Sequence, residues 1–338
     1  MIYIVCNNAN LKIDGIGDYA YRLYSEFIKI QKNVRILSAQ SGKSGIIDKL
    51  FSMAMTKMLI GLIRNVKERD VVIIEYPFAE CNILIIPVMF FLRNRIKKTN
   101  GIIVLSLHEY QRVSPYRKII IKKIIKIADV VLVTNHDIDR ICSHYGIKCM
   151  LRTIPSNIYK GEINFGPKDT NKYLFFGLLD KTKAFEEMID AWVRFNADKS
   201  RKLVVISSSD IDMRYKDYGI EYYRNLEQED ISRHFMSAQF CILPIRPYVS
   251  TNNATYKTAL CYECIQIGCF DTNIGNEAFS VRLNNYSVEG LLEGLVNSAS
   301  LSSDDIATMT SMMTKVPKPS FNITVKQYVN AISSLTKK

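Results

Sequence analysis

Ile102-Ile103-Val104-Leu105-Ser106-Leu107, then the run from Ser114 to Ala128, then Val130-Val131-Leu132-Val133-Thr134, form the stretch whose reading decides the fold. The first and last runs are short and almost wholly apolar, so each reads as a strand buried on both faces. The run between them has the length and spacing of an amphipathic helix. Strands joined by such a crossover lie parallel in one sheet.

The same alternation extends in both directions. Ile2–Cys6, Val34–Ser38 and Val71–Glu75 read as further strands, with helices over roughly Gly17–Ile30, Ile46–Val66, Ile83–Arg95 and Asp137–His144. Beyond residue 155 the periodicity lapses through Gly161, Gly166 and Pro167, which reads as a linker. It then restarts, with strands at Tyr173–Phe176, Leu203–Ile206 and Phe240–Leu243. Helices are expected at Lys183–Asn196, Glu229–Met236, Thr255–Ile267 and Val288–Ala299, and a last one from Ser320 to Leu335. The expected fold class is α/β, with two doubly wound, Rossmann-like domains facing across a cleft. Residues 1–155 form the first, 156–170 the linker, 171–318 the second, and 319–338 a C-terminal helix crossing back to the first. Such sheets bind ligands outside the carboxyl ends of their strands.

Composition narrows the partners. Of 338 residues, 48% are hydrophobic and 23% charged, which is ordinary for a globular protein, and no apolar run is long enough to span a bilayer. Eight scattered cysteines read as buried thiols in a reducing compartment. The net charge of +12 is uneven, because residues 1–160 carry +13 and residues 161–338 carry −1. The excess concentrates in Arg93, Arg95, Lys97 and Lys98, and again in Arg117, Lys118, Lys122, Lys123 and Lys126. The second group alternates with isoleucines on an opposing helical arc, which suits an anionic membrane surface. The rival readings are a solvated basic face and a nucleic-acid partner. Against the last, the basic stretches hold few aromatics for base stacking and carry no nucleic-acid-binding motif.

The residues with chemical content fall at strand ends. Gly15 and Gly17 follow the first strand, where backbone amides can approach a ligand closely. His108 and Glu109 end the fourth strand, positioned to contact a transferred group or acceptor hydroxyl. In the second half, Phe176-Gly177 leads to Lys181 and Lys183, point charges at a helix start that match phosphate oxygens. Arg246 follows the Phe240–Leu243 strand. The small polar residues Ser250-Thr251-Asn252-Asn253-Ala254-Thr255 then feed a helix whose N-terminal amides attract phosphate. Glu263, read as lying on that same helix about two turns on, suits ribose hydroxyls. Asn157 lines or caps the linker.

Taken together in this order, the motifs resemble GT-B glycosyltransferases and are similar to the retaining family 4 group. Gly15-Ile16-Gly17-Asp18-Tyr19 resembles that group's glycine-rich loop. Phe176-Gly177 with Lys183 resembles its phosphate turn, and Glu263-Cys264-Ile265-Gln266-Ile267-Gly268 resembles its nucleotide-binding helix. Thr255 stands where the first of the family's paired glutamates belongs, no arginine follows Gly177, and Ala184 replaces a glycine. The loop before Thr255 is similar to a variant subgroup lacking that first glutamate.

The resemblance implies a nucleotide diphosphate sugar as donor and a lipid-linked or growing glycan as acceptor, in bacterial-type surface polysaccharide synthesis. It implies retention at the anomeric carbon and no bound metal, and no other cofactor is expected. With the basic stretches, the expected location is cytoplasmic, peripheral on the inner face of the membrane. Lys183, His108 and Glu109 would be catalytic. Gly15, Gly17, Gly177, Lys181, Arg246, Ser250, Asn253, Thr255 and Glu263 would bind the donor. A non-catalytic relative that binds a glycan or a partner is the alternative.

Overall fold

The computed structural model describes residues 1–7, 15–31, 33–39, 53–78, 83–108, 110, 113–136, 138–158, 166–179, 182–210, 218–251, 253–274 and 278–336. The chain divides into two compact units, residues 1–154 with 321–338, and residues 155–320.

The first unit is built on a parallel sheet of six strands: β1 (Ile2–Cys6), β2 (Val34–Ser38), β3 (Val71–Tyr76), β4 (Ile102–Leu107), β5 (Val130–Val133) and β6 (Lys148–Leu151). Their spatial order is β2-β1-β3-β4-β5-β6, so the crossover direction reverses between β1 and β3. Helices α2 (Ala54–Asn65), α3 (Ile85–Lys98), α4 (Pro115–Ile125) and α5 (Asp139–His144) bury side chains on one face, around Val72, Ile74, Ile103 and Leu105. On the other face α1 (Gly15–Ile30) and the C-terminal α11 (Phe321–Thr336) pack over Ile4, Ile73 and Val104. The period-two alternation of each strand makes both sets apolar, which is why the strands read as continuous hydrophobic runs.

Helix α4 corrects the expectation that its isoleucine arc lies on lipid. Ser114 caps the helix by accepting from the Arg117 amide at 3.4 Å, and Pro115 occupies the first turn. Ile120, Ile121, Ile124 and Ile125 are then buried against the sheet, and of the α4 isoleucines only Ile119 is exposed, at 59%. The amphipathic pattern is a core-facing pattern.

The second unit repeats the plan with β7 (Asp169–Phe176), β8 (Lys202–Ser207), β9 (Ile220–Arg224), β10 (Ala238–Ile242), β11 (Ile265–Gly268) and β12 (Ser280–Arg282), all parallel. Their order, β12-β11-β10-β7-β8-β9, reverses between β7 and β10. Helices α6 (Phe185–Phe195), α9 (Val288–Ala299) and α10 (Ser303–Lys315) cover one face, and α7 (Gln228–Ser237) and α8 (Ala254–Cys261) the other. The Lys168 ammonium donates to the carbonyls of Phe235, Met236 and Ala238 at 3.0, 3.3 and 2.8 Å, neutralising the C-terminal end of α7.

Several expected boundaries change. The helix expected over Thr255–Ile267 ends at Cys261, Glu263 turns the chain with φ 56°, and Ile265 begins β11. Strands β6, β9, β11 and β12 and helix α10 were absent from the sequence reading.

Because Ile124 is sealed in the core and Ile119 is not, Ile124→Ala should cost about 2–5 kcal/mol of unfolding free energy and Ile119→Ala under about 0.5. Urea unfolding of the two variants checks this. Equal costs would return the isoleucine arc to the surface.

Candidate functional site

In the second unit the chemistry gathers at the β7/β10 reversal. Gly177 follows β7 with φ 148°, a conformation L side chains rarely adopt, and a Cβ placed there would meet nothing within 4 Å. Its amide donates to the Ile206 carbonyl at 3.1 Å, and the next turn is fixed by the Leu179 amide donating to Ser209 Oγ at 3.1 Å. The chain then runs back beside the segment that follows β10. The Ala184 amide donates to Pro244 at 2.8 Å, the Arg246 amide donates to Thr182 at 2.7 Å, and Lys183 bridges Ile245. Lys183 is half-buried, with Nζ 3.3 Å from Thr182 Oγ1.

The loop entering α8 joins the same edge. Asn253 caps the helix, its side chain accepting from the Tyr256 amide at 2.8 Å, and Thr255 Oγ1 donates to the Phe176 carbonyl at 3.2 Å. Phe176 is the residue before Gly177, so the helix start and the glycine turn are tied together. Ser250 is half-buried in this loop, and beside it the Thr251 hydroxyl is sealed from solvent with no hydrogen-bond partner among the described residues. Thr251 belongs to the small polar loop singled out in the sequence, whereas Ser207 and Ser209 were missed. A serine run at a strand end was the available signal for those two.

Two expected donor-site side chains are engaged in ion pairs. Glu263 lies past the C-terminal end of α8, not on its flank, and its carboxylate takes the Lys318 ammonium at 2.6 Å. It is 7% exposed, so it ties the chain after α10 to the helix end. The Arg246 guanidinium is paired with Glu187 at 2.5 Å and holds that carboxyl below its usual range against the opposing effect of burial. This pair borders an open groove of ≈ 710 Å³ with Asn284, Asn285 and Tyr286, which Gly177, Lys183 and Thr255 do not line. Glu109 and Lys181 lie outside the described residues.

In the first unit the upper end of the α1/α11 face is polar. Glu75 continues the Val71, Ile73 face of β3, and Ser106 and His108 continue the Val104 face of β4; Glu75 and Ser106 are register partners. Glu75 is fully buried, and its carboxylate accepts from Ser106 Oγ at 2.5 Å and from Tyr328 OH at 2.9 Å, with His108 Nε2 at 2.7 Å. Burial opposes ionisation of Glu75, yet the hydrogen bond and charge of His108, the charge of Arg152 and the Ser106 hydroxyl hold its carboxyl below the usual range. Burial pushes the Tyr19 phenol up to about 12 and the Tyr328 phenol well above its ordinary value, so both stay neutral donors. None of Glu75, Tyr19, Tyr328 and Arg152 was singled out in the sequence, although a glutamate within the Val71–Tyr76 run was a visible signal.

Gly15 and Gly17 form the first turn of α1, and neither takes a positive φ. They are helical positions, so the helix read as starting near Gly17 begins at Gly15 and takes in the expected glycine loop. Arg93 pairs with Asp129 at 2.5 Å at 17% exposure, and Arg95 Nη2 donates to the Val66 carbonyl at 3.2 Å. Those two side chains are therefore occupied within the protein. Lys97, Lys98, Lys122, Lys123 and Lys126 are exposed, while Arg117 and Lys118 are half-buried. No group of metal-ligating side chains occurs among the described residues.

No family model matches the chain, and no curated protein matches it. Solved structures do. WaaG, a glycosyltransferase involved in lipopolysaccharide biosynthesis, superposes with a TM-score of 0.68 at 11% identity, over 98% of this chain and 100% of that one. A glycosyltransferase from Rickettsia africae gives 0.65 at 12% identity over 100% and 99%. An E. coli protein described as trehalose-6-phosphate, bound with UDP-2-fluoro glucose, gives 0.64 at 11% identity over 98% of each chain. The shared fold is GT-B: two Rossmann-like units in series.

A lowered Glu75 pKa stabilises the fold only where the unfolded carboxyl is already ionised. The stabilisation is therefore complete above the ordinary value of 4.5 and is lost as pH falls through the lower folded value. Glu75→Gln should accordingly be less stable than wild type at pH 7 and lose that deficit as pH falls below 4.5 through the lower folded value. Chemical unfolding of both proteins across pH measures this, and a gap that widens in acid would contradict the assignment.

Proposed function

We propose that the protein is a glycosyltransferase moving a sugar from a nucleotide diphosphate sugar to a lipid-linked or growing glycan acceptor. The observation that carries this reading is the set of groups gathered at the β7/β10 reversal: an open Gly177, the Lys183 ammonium, and the α8 N-terminus with the unpartnered Thr251 hydroxyl. These are cationic or hydrogen-donating groups, complementary to a diphosphate. As the glycosidic bond breaks, negative charge grows on the leaving diphosphate, and donors fixed in advance lower the barrier without reorganising. Lys183 supplies the point charge. The first-turn amides of α8 supply the dipole end, and Thr255 fixes their position against Phe176.

Structures of the same fold were solved with a UDP-sugar or belong to lipopolysaccharide synthesis, which supports the choice of donor class and acceptor class. Retention of anomeric configuration and independence of metal come from the resemblance. His108 is assigned to the acceptor side on the same ground, with Glu75 fixing its ring at 2.7 Å as a positioning residue.

A membrane role belongs to this reading. No helix among the described residues is long and apolar enough to cross a bilayer. The first unit nevertheless exposes Ile83 (58%), Leu84 (48%), Phe90 (41%) and Phe91 (65%) on and before α3, which ends in exposed Lys97 and Lys98. Apolar side chains beside lysines suit the interface of an anionic bilayer and give access to a lipid-linked acceptor.

A panel of nucleotide sugars should identify one that raises the melting temperature of the protein. With that donor, Lys183→Ala should slow transfer by about two orders of magnitude or more while leaving the melting temperature of the unliganded protein unchanged. Near-normal turnover would remove Lys183 from the mechanism, and failure of every nucleotide sugar would remove the reading. Phe90→Ser with Phe91→Ser should abolish co-sedimentation with phosphatidylglycerol vesicles; unchanged sedimentation would discard the membrane face.

A further inference from the structure

Arg152 follows β6 in the first unit and is 3% exposed, a rare setting for a permanent cation. Its Nη1 donates to Tyr19 OH at 3.1 Å, and the guanidinium lies over the Tyr19 ring at 4.9 Å. Its Nε and Nη2 are sealed from solvent and have no hydrogen-bond partner among the described residues. These two nitrogens are the side of the guanidinium whose N–H bonds run parallel, the fork that matches two oxygens of one carboxylate or phosphate.

Such an arrangement is unfavourable as it stands. A buried donor without a partner loses its hydration with no bond to replace it, and the loss is greater when the donor is charged. The nearby carboxylate does not relieve it: the hydrogen bonds of Glu75 go to Ser106, His108 and Tyr328. Tyr19 and Tyr328 are neutral phenols, linked at 3.3 Å, and offer no anion. The positive charge is therefore balanced at a distance and left open on one edge.

We propose that the Arg152 fork is a binding site for a small oxyanion, the carboxylate or phosphate of a molecule recognised by the first unit alone. The inference is independent of the transferase reading, whose phosphate-binding groups all lie in the second unit. Each fork nitrogen is covered, so binding is coupled to a local opening of the α1 and α11 side chains around Tyr19 and Tyr328. The Tyr19 contact holds the guanidinium plane in place, so the fork is already oriented when the anion arrives.

Thermal unfolding of the full chain, titrated with inorganic phosphate and separately with acetate against sodium chloride at matched ionic strength, tests it. One of the two anions should raise the melting temperature saturably, by roughly 5–10 °C at about a hundredfold excess over Kd. Whichever anion acts identifies the class. Arg152→Met should lose this response while keeping or raising the intrinsic melting temperature, because it replaces an unpaired buried cation by an apolar side chain of similar length. Arg152→Lys should bind at least about tenfold more weakly, since an ammonium lacks the fork. All titrations are made in the Lys183→Ala background, which removes the second unit's own phosphate response, so the response that remains reports the Arg152 fork. No saturable response to either anion overturns the proposal, as does a response that survives in Arg152→Met. Should Arg152→Met fail to fold, Arg152→Lys decides.

Discussion

The reversal of crossover direction between β7 and β10 is the constraint on which the second unit's chemistry depends. Parallel strands are joined by crossovers that cover one face or the other. Where the covering switches sides, the two outgoing loops diverge and the carboxyl ends of adjacent strands stay uncovered. Here the chain leaving β7 goes to α6 and the chain leaving β10 goes to α8 on the opposite face. The Thr255 hydroxyl, donating to the Phe176 carbonyl, holds the second loop against the first. Backbone amides, hydroxyls and one lysine collect there, while the nearby carboxylate of Glu187 is already matched by Arg246.

The first unit meets the same constraint with a different outcome. Its strand ends also carry polar side chains, but α1 and the C-terminal α11 lie across them, so the polar set is buried. Burial makes each unmatched group expensive and each matched one rigid. Glu75 is matched on both carboxylate oxygens, which explains how a charge persists at zero exposure. Tyr328 reaches it from α11, more than two hundred residues away in the chain, so the C-terminal helix belongs to the first unit through chemistry as well as through packing. Arg152, matched on one nitrogen only, is the exception that stands out.

Both sheets were legible in the sequence because buried parallel strands announce themselves as apolar runs between amphipathic helices. What was not legible has physical causes. Strand β9, Ile220-Glu221-Tyr222-Tyr223-Arg224, is at the sheet edge and flanks two tyrosines with charged residues, so it has no apolar run to read. Strand β12 has three residues, too few for any period. Helix α10 did carry its own start signal, the reciprocal cap of Ser302 and Asp305, but the helix has a weak apolar stripe with only Met309 and Met313 buried. The Glu75, Arg152, Tyr19 and Tyr328 set could not be assembled from spacing, since its members come from four elements or their ends.

Glu263 shows why the site had to be built from contacts. Its neighbourhood is apolar on both sides, from Tyr256 through Ile267, and contains no glycine to end a helix before Gly268. A helix of this kind commonly ends in a left-handed residue, usually glycine. Here a glutamate takes that conformation, at φ 56°, and so hides the boundary between α8 and β11. The conformation is costly for a residue with a Cβ, and the 2.6 Å pair with Lys318 is a compensating contact that the sequence does not display. A motif matched through such a boundary assigns a turn residue to a helix face. At 11–12% identity the fold transfers between chains but residue positions do not. A carboxylate near an expected position has to be read together with its partners, and the partner of Glu263 is Lys318.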